Sequence, residues 1–478
     1  MDKVSLAQLL RGPGRPHEEL ASAYRGALLG AACGNVLGIG VEFRSAAQIK
    51  ERHPSGVREI PAAEKENPWD DDLAQTALVA EALLANERGE LDLNDLAERL
   101  LEWRRKNGRG IGGLTRNVLD RLAAGDPPRS AARLGWEDSG RNNAGNGAVM
   151  RCSPIALRWR TDARKLIEEA TKCALITHYD WRCVWSTVTV TSVLACILNG
   201  SQPTVSEIAA AMETEGADAE TVAWIRSAKG ISIDQLRLDE RDAIGYTLRA
   251  MHVGLWAHQQ DGDFADVVAS VIEAGGDTDT NGIVAGAIVG ARVGEQALPK
   301  EWLTNIRGTE TLRFYADGLF RATPEGSIEA GDMSRIKSAF DETFESWSVE
   351  LPETDIAEAK AGALRQKDGS GLIRYAFGHS ERGEYLEFYA FHRIWGDGHQ
   401  RIYASGEVDH LATLETILMV SDDPAEMKRR QEEQEERNQQ LLEDLDRAGL
   451  REGGPVPGSF EINAHLVTGG SDPQSPED

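Results

Sequence analysis

Apolar residues recur at intervals of three and four from about residue 18 to residue 345, for example in LDLNDLAERLLEWRRKN and DARKLIEEATKCALI. This spacing places apolar side chains on one face of an α-helix, whereas half-buried strands alternate every second residue. No convincing alternation interrupts this part of the chain. The pattern predicts one all-α helical domain over residues 18–345, preceded by an N-terminal extension over residues 1–17.

Small residues line one face of two of these predicted helices. The first carries glycine at every fourth position, at Gly26, Gly30, Gly34 and Gly38. The second has small residues at Ala285, Gly286, Ala287, Gly290 and Ala291. Small faces allow backbones to approach closely, and such short runs entered through Asp favour a packed helical core over paired membrane spans.

The pattern changes past Trp347. The segment LIRYAFGHSERGEYLEFYAFHRIWGDGHQRIYASGEV is rich in aromatic and β-branched residues and is broken by turn sequences, which predicts a small antiparallel sheet over residues 346–421. Residues 422–450 read as a polar, charged helix with opposite charges at three and four spacing. The acidic tail, residues 451–478, is predicted to be disordered apart from a short strand near Phe460. The sequence leaves the role of this α+β C-terminal module open.

The chain carries 78 acidic and 52 basic side chains, a net charge of −26 over 478 residues. This charge disfavours nucleic acid or an anionic membrane as the main partner, and no basic stripe offsets it. Without a signal-type N-terminus or an 18-residue apolar run, we expect a cytoplasmic protein with no membrane span. The five Cys have neither metal-type nor disulfide-type spacing, which predicts buried, reduced thiols. The oligomeric state stays open.

Two acidic clusters carry the strongest chemical signal: WDDD at residues 69–72 and GGDTDTNG at residues 275–282. Each precedes a helix-like apolar run, so both place carboxylates at helix starts. One Asp there is an ordinary N-cap, but three consecutive Asp repel one another unless a cation screens them. Magnesium and calcium prefer oxygen ligands, whereas zinc favours His or Cys. The two clusters together predict a metal site.

The second cluster has two other interpretations. Its D-T-D-T-N-G stretch matches the first half of an EF-hand loop, but Ile288 stands at the twelfth position, where a bidentate Glu is needed. The D-x-D pair is also typical of haloacid-dehalogenase-type phosphatases, whose first Asp is a nucleophile at the end of a buried strand. Here Gly275 and Gly276 follow the helix-like FADVVASVIEA, so a phosphatase with Asp277 as nucleophile is the less favoured alternative.

Five segments follow one another in a characteristic order: RGALLGAACGNVLGIGVEF, WDDDLAQT, GNGAVMR, ITH and GGDTDTNGIVAGAIVGA. In this order they resemble the ADP-ribosylglycohydrolase family, which includes dinitrogenase-reductase-activating glycohydrolases and ADP-ribosylhydrolases. The resemblance covers about residues 20–325. It implies an orthogonal all-α fold that binds two magnesium ions, with manganese as an alternative, between the two acidic clusters. It also implies that the ions hold ADP-ribose by its distal ribose hydroxyls.

The resemblance also implies roles for individual residues. The implied metal ligands are Asp70, Asp71, Asp72, Asp277, Asp279 and Thr280. The implied catalytic residues are Glu42 and Asp71, and the implied substrate-binding residues are Gly145, Asn146, Gly147, Met150 and His178. Taken alone, Glu42 also fits a bridge between helices, the GNG segment a turn, and His178 a satisfied core histidine.

The first cluster departs from the Thr-Asp-Asp-Thr pattern usual in the family, because Asp70 replaces the first Thr and Leu73 the last. Asp70 still offers oxygen to a cation, and Leu73 does not. Glycosidic cleavage needs one carboxyl group near the leaving atom and another near a water. The sequence therefore predicts a magnesium-dependent hydrolase that releases ADP-ribose from a modified protein or small molecule, with the linkage left open. The alternative is a non-catalytic ADP-ribose binder or structural protein on the same fold.

Overall fold

The computed structural model describes residues 4–86, 88–241, 244–323, 361–366, 371–380, 382–392, 398–403, 407–418 and 460–461. The chain divides into two compact units, Met1–Phe320 and Arg321–Asp478. The described part of the first unit is helical, and that of the second is built on an antiparallel sheet. The predicted fold class, an all-α domain followed by a small α+β module, is confirmed. The domain boundary predicted near residue 345 and the polar helix at 422–450 lie outside the described residues, as does the tail apart from residues 460–461.

The helices of the first unit are mostly short and joined by turns. They are α1 (Leu6–Leu9), α2 (His17–Ile39), α3 (Ala46–Arg52), α4 (Asp71–Ala85), α5 (Leu93–Lys106), α6 (Gly113–Ala123), α7 (Pro128–Asp138), α8 (Ser153–Trp159), α9 (Ala163–Leu175), α10 (Trp181–Leu198), α11 (Val205–Glu215), α12 (Ala219–Ser227), α13 (Thr247–His258), α14 (Phe264–Glu273), α15 (Thr278–Val293), α16 (Lys300–Thr304) and α17 (Thr309–Arg321). Short 3-10 turns lie at Ala62–Lys65, Asp234–Leu236 and Glu295–Ala297.

Aspartate side chains begin many of these helices. Each accepts a hydrogen bond from a backbone amide of the first turn, as seen at Asp70, Asp92, Asp162, Asp180, Asp218 and Asp263. Such caps satisfy amide donors that have no partner within the helix. Capping therefore accounts for many of the aspartates of this acidic chain, and the site described below is set apart by how close its carboxylates lie to one another.

Glycines on α2 and α15 lie against one another in an antiparallel pair. A Cβ added to Gly34 would lie 1.9 Å from the carbonyl oxygen of Gly282, and one added to Gly286 would lie 2.0 Å from that of Gly30. Even a methyl group at these positions would force the two helices apart. The close backbone approach predicted from the glycine spacing is confirmed, and both faces are buried.

The antiparallel pairing brings the end of α2 beside the start of α15. A Cβ on Gly38 would lie 2.5 Å from the amide nitrogen of Asp279. The turns that flank these helix ends are joined by two hydrogen bonds: Phe43 N donates to Gly276 O at 2.8 Å, and Gly276 N donates to Arg44 O at 2.9 Å. Residues just after α2 and just before α15 are thereby fixed next to each other.

The sequence analysis predicted no apolar run long enough to span a membrane, and helix α10 contradicts that prediction. Its 18 residues have a mean hydropathy of 1.4, so by length and composition alone the helix qualifies as a membrane span. However, 83% of that stretch is buried inside the protein, as expected for a core helix. The predicted buried thiols are confirmed, because all five cysteines are buried and free.

The second unit contains a six-stranded antiparallel sheet in the order β5-β4-β3-β2-β1-β6. Its strands are β1 (Ala361–Gln366), β2 (Gly371–Ser380), β3 (Gly383–His392), β4 (Gly398–Tyr403), β5 (Val408–Leu411) and β6 (Phe460–Glu461), and a short helix, α18 (Leu414–Leu418), follows β5. Buried Glu387 on β3 lies 2.7 Å from His399 Nε2 and accepts a hydrogen bond from Arg401 at 2.9 Å. The antiparallel arrangement predicted from the sequence is confirmed.

Candidate active site and metal centre

Both acidic clusters lie at helix starts, as the sequence predicts. Asp70 is the N-cap of α4, where its Oδ1 accepts a hydrogen bond from the amide of Leu73, and Asp71 and Asp72 form the first turn. Asp277 holds the corresponding position of α15, and Asp279 and Thr280 follow in its first turn. Amide groups and the helix dipole favour negative charge at both places.

The carboxylates of the two clusters meet in space and form two overlapping groups. Oxygens of Glu42, Asp277 and Asp279 lie within 4.8 Å of one another, and so do oxygens of Asp70, Asp72 and Asp279. Asp279 belongs to both groups. Each group therefore offers closely spaced carboxylate oxygens that could hold a metal ion.

Neighbouring polar groups hold these carboxylates in place. Asn146 Nδ2 donates to Asp277 Oδ2 at 2.8 Å, and Asn35 Nδ2 donates to Asp70 Oδ2 at 3.0 Å. The side chain of Thr280 hydrogen-bonds to Asp72. Asp72 Oδ1 is buried and has no hydrogen-bond partner among the described residues. A buried carboxylate oxygen without a partner is costly, and a cation ligated there removes that cost.

The protein alone disfavours ionisation of this cluster. Burial raises the pKa of Asp71, Asp72 and Asp279 well above the usual carboxyl range, and neighbouring carboxylates raise it further. Burial also raises the pKa of Asp70, although the hydrogen bond from Asn35 acts in the opposite direction. Carboxyl groups so close together ionise readily only when positive charge enters between them.

Glu42 lies three residues beyond the end of α2, in the turn fixed to Gly276, and is partly exposed. Burial, the largest cause, and the charges of Asp277 and Asp70 raise its pKa to about 7 against an opposing effect of Arg109. A carboxyl group with a pKa near 7 exchanges a proton at neutral pH, which suits an acid/base catalyst.

The GNG segment forms a loop that reaches the second acidic cluster. Gly145 forms an isolated antiparallel bridge with Tyr246, and the amide of Asn146 donates to Gly245 O at 3.0 Å. This pairing aims the Asn146 side chain at Asp277. Met150 is buried behind the loop, where its carbonyl oxygen accepts a hydrogen bond from Thr76.

His178 lies directly beneath this loop. A Cβ on Gly147 would lie 2.7 Å from His178 Cε1, and one on Gly145 would lie 3.2 Å from its Nε2. Burial, the larger cause, and the nearby charge of Arg151 together lower the pKa of His178 to about 3. The imidazole is therefore neutral at physiological pH, so it packs against the loop without contributing charge, while its Nδ1 shares a hydrogen bond with the Thr177 hydroxyl.

The position of the second cluster at a helix start contradicts both the EF-hand interpretation and the phosphatase interpretation. Asp277 follows helix α14 and a turn, so it does not stand at the end of a buried strand as a phosphatase nucleophile would. Ile288, at the EF-hand glutamate position, is buried in the middle of α15.

The family model for ADP-ribosylglycohydrolase matches residues 16–328. The chain belongs to the ADP-ribosylglycohydrolase family. The family predicted from the five ordered segments is thereby confirmed, and the match covers the helical unit that carries both acidic clusters.

Three relatives place the chain within this family of glycohydrolases. ADP-ribosylarginine hydrolase Tri1 of Serratia proteamaculans is 25% identical over 319 residues, 65% of this chain and 82% of the relative. ADP-ribosylhydrolase ARH3 of Danio rerio is 26% identical, covering 61% and 88% of the two chains. ADP-ribosyl-[dinitrogen reductase] glycohydrolase of Rhodospirillum rubrum is 24% identical, covering 59% and 89%.

In this member of the family, the two departures from the usual first cluster have different surroundings. Leu73 is fully buried, so the side chain at this position packs in the core. Asp70 both caps α4 and contributes an oxygen to one of the two carboxylate groups. The added carboxylate is held by Asn35, a fully buried residue of α2.

Two residues near the acidic cluster were missed by the sequence reasoning, Asn35 and Arg109. Asn35 was visible as a polar residue within the small, apolar stretch AACGNVLGIG, although its partner Asp70 is 35 positions away. Arg109 lies in the turn-rich stretch NGRGIGG, and its charge lowers the pKa of both Glu42 and Asp70. No local pattern indicated that this arginine lies beside the carboxylates.

Proposed function

We propose that the protein is a magnesium-dependent hydrolase that cleaves the glycosidic bond between ADP-ribose and a modified protein or small molecule. The observation that carries this proposal is Asp279, whose carboxylate is shared by two groups of closely spaced acidic side chains. Membership of the ADP-ribosylglycohydrolase family and the names of the relatives support the reaction class.

The donor atoms fit two magnesium ions, with manganese as an alternative. Asp277 and Asp279 would hold one ion, with Glu42 beside it, and Asp70, Asp72 and Asp279 the other. Carboxylates suit hard cations, neither group contains Cys or His, and the unpartnered Asp72 Oδ1 is a further donor atom. Divalent ions would supply positive charge that orients the ribose hydroxyls and offsets negative charge in the transition state.

The residues of the chain supply proton transfer and positioning. Glu42 has the exposure and the raised pKa to pass a proton to the leaving atom or to accept one from the attacking water. Asp71 is less buried than Asp70 and Asp72 and belongs to neither carboxylate group, which suits a second catalytic carboxylate. Gly145, Asn146 and Gly147 are partly exposed, so the loop that they form can approach the phosphates of ADP-ribose.

The deciding experiment measures release of free ADP-ribose from an ADP-ribosylated peptide, with magnesium and with EDTA. We expect release that requires magnesium and is abolished by Asp279→Asn. As a matched control, Asp261→Asn removes an exposed carboxylate outside the site and should leave release unchanged. A protein that binds ADP-ribose without releasing it from any conjugate would instead be the non-catalytic binder, and the proposed hydrolase would be wrong.

A further inference from the structure

Arg151, the last residue of the GNGAVMR segment, is fully buried in the helical unit. Its Nη1 donates to Gln75 Oε1 at 2.6 Å. Its Nη2 donates to Cys173 O at 2.8 Å and to Thr177 Oγ1 at 2.6 Å. Gln75 belongs to α4, the helix that begins at the first acidic cluster. The guanidinium therefore fixes the Thr177 hydroxyl from within the core.

The contact with Arg151 determines the direction of the next hydrogen bond, in which Thr177 Oγ1 lies 2.7 Å from His178 Nδ1. An arginine has donors only, so Thr177 accepts from Arg151 and keeps its own hydroxyl proton to donate. Thr177 is fully buried, and among the residues that the structure describes only Nδ1 is hydrogen-bonded to the hydroxyl as a possible acceptor. Because a buried donor without an acceptor is costly, Thr177 donates to Nδ1.

His178 then carries its proton on the opposite nitrogen. Burial and the charge of Arg151 lower the pKa of His178 to about 3, so at neutral pH the ring is uncharged and has a single N–H group. Since Nδ1 is an acceptor, that proton lies on Nε2. The order of donors along Arg151, Thr177 and His178 thus defines one tautomer of the imidazole.

The Nε2 edge of the ring lies against the GNG loop. A Cβ on Gly147 would be 3.1 Å from Nε2, and one on Gly145 would be 3.2 Å from it, so the ring comes this close because both positions are glycine. Both glycines are partly exposed, and Nε2 has no hydrogen-bond partner within the described part of the chain. Hydrogen bonds to an ionised acceptor are roughly twice as strong as those between neutral groups. A phosphate oxygen at the loop is therefore a suitable acceptor for this N–H group.

We propose that Arg151 and Thr177 are positioning residues that hold the proton of His178 on Nε2, from which the imidazole donates a hydrogen bond to a phosphate oxygen of ADP-ribose. The identity of the ligand rests on the proposed function. The order of donors and acceptors rests on the hydrogen bonds of the protein alone. Arg151 and Thr177 act through His178 and do not touch the ligand.

NMR of the full chain, labelled with nitrogen-15 histidine, measures the position of the proton directly. The signals of His178 are those missing from the spectrum of His178→Gln. At pH 7.5 without ligand, we expect Nδ1 to be unprotonated and Nε2 to be protonated. Adding ADP-ribose in magnesium should shift the signal of the Nε2 proton, whereas adenosine, which has no phosphate, should shift it far less.

Threonine variants separate the hydrogen bond from packing. Thr177→Val keeps a side chain of similar size but removes the donor to Nδ1, so we expect a mixture of the two tautomers and ADP-ribose binding weakened about fivefold in calorimetry. Thr177→Ser retains the hydroxyl and should retain the tautomer and most of the affinity. Thr191→Val removes another fully buried hydroxyl, which donates to Thr187 O within α10, and should change neither quantity.

A wild-type His178 that carries its proton on Nδ1, or on both nitrogens at pH 7.5, would overturn the proposal. So would a Thr177→Val protein with the wild-type tautomer and affinity, and an equal shift with adenosine would exclude phosphate as the acceptor. The wild-type spectrum decides the tautomer even if Thr177→Val does not fold.

Two outcomes separate this proposal from the proposed function. A protein that shows the Nε2 tautomer and the shift with ADP-ribose, but releases no ADP-ribose from a conjugate, refutes the hydrolase function and supports the role of His178. If ADP-ribose does not bind at all, the assignment of the ligand is wrong together with the proposed function.

Discussion

Replacing Asp279 by asparagine should change stability in opposite directions with and without magnesium. The Asp279 carboxylate lies within 4.8 Å of carboxylate oxygens in both acidic groups. Two unit charges at that distance repel by about 3.5 kcal/mol at an effective dielectric constant near 20. Protonation relieves part of this, since the cluster has raised pKa values, so the isosteric amide should stabilise the metal-free protein by roughly 1–2 kcal/mol.

With magnesium present, Asp279→Asn should instead destabilise the protein. A ligand that binds only the native state stabilises it by about 2.7 kcal/mol when its concentration is a hundred times its dissociation constant. The variant lacks the carboxylate that the two acidic groups share, so it should lose much of this stabilisation by magnesium. The Oδ1 of asparagine can still accept the hydrogen bond from the amide of Thr280, so local structure is preserved. We therefore expect Asp279→Asn to raise the melting temperature by about 2–4 °C in EDTA and to lower it in magnesium.

Scanning calorimetry of the wild type and the variant in both buffers at pH 7.5 makes this measurement. Asp261→Asn, which changes an exposed carboxylate, should leave the melting temperature in each buffer within error of the wild type. If Asp279→Asn lowers the melting temperature equally in EDTA and in magnesium, Asp279 is a structural residue, and neither repulsion nor shared ligation describes the cluster.

Three other predictions concern Glu42 and the GNG loop. The pKa of Glu42 is raised to about 7, so between about pH 4.5 and 7 the folded metal-free protein holds a proton that the unfolded chain has released. Urea unfolding in EDTA should therefore show a free energy of unfolding that falls as pH rises through this range. Excess magnesium should flatten that pH dependence. Glu42→Gln should lower turnover about a hundredfold in a steady-state assay while calorimetry still detects ADP-ribose binding; unchanged turnover would make Glu42 a helix bridge. Gly147→Ala places a Cβ 2.7 Å from His178 Cε1 and should cost about 1–3 kcal/mol of unfolding free energy. Adding His178→Ala should restore part of that loss, whereas Gly113→Ala, with open space around its Cβ, should cost nothing.

The sequence predicted the parts of this protein that depend on local chemistry. Helix periodicity and the placement of Asp before apolar runs depend on neighbouring residues, and both appear in the structure at α4 and α15. The glycine spacing of α2 correctly indicated a close helix contact. It did not identify the partner, because the pairing of Gly34 with Gly282 spans nearly 250 positions and any small face would have satisfied the same pattern.

The electrostatic balance of the site could not be derived from its motifs. The two clusters supply five carboxylates, while the structure adds the carboxylate of Glu42, the amide of Asn35 and the charge of Arg109. Arg109 lies more than thirty positions from either group that it affects, in a loop whose sequence resembles an ordinary turn. Asp70 adds a carboxyl group where the family pattern has threonine; burial raises the pKa of that group, and the charge of Arg109 acts in the opposite direction. The electrostatics of this site therefore depend on residues outside the conspicuous motifs as well as on the acidic clusters themselves.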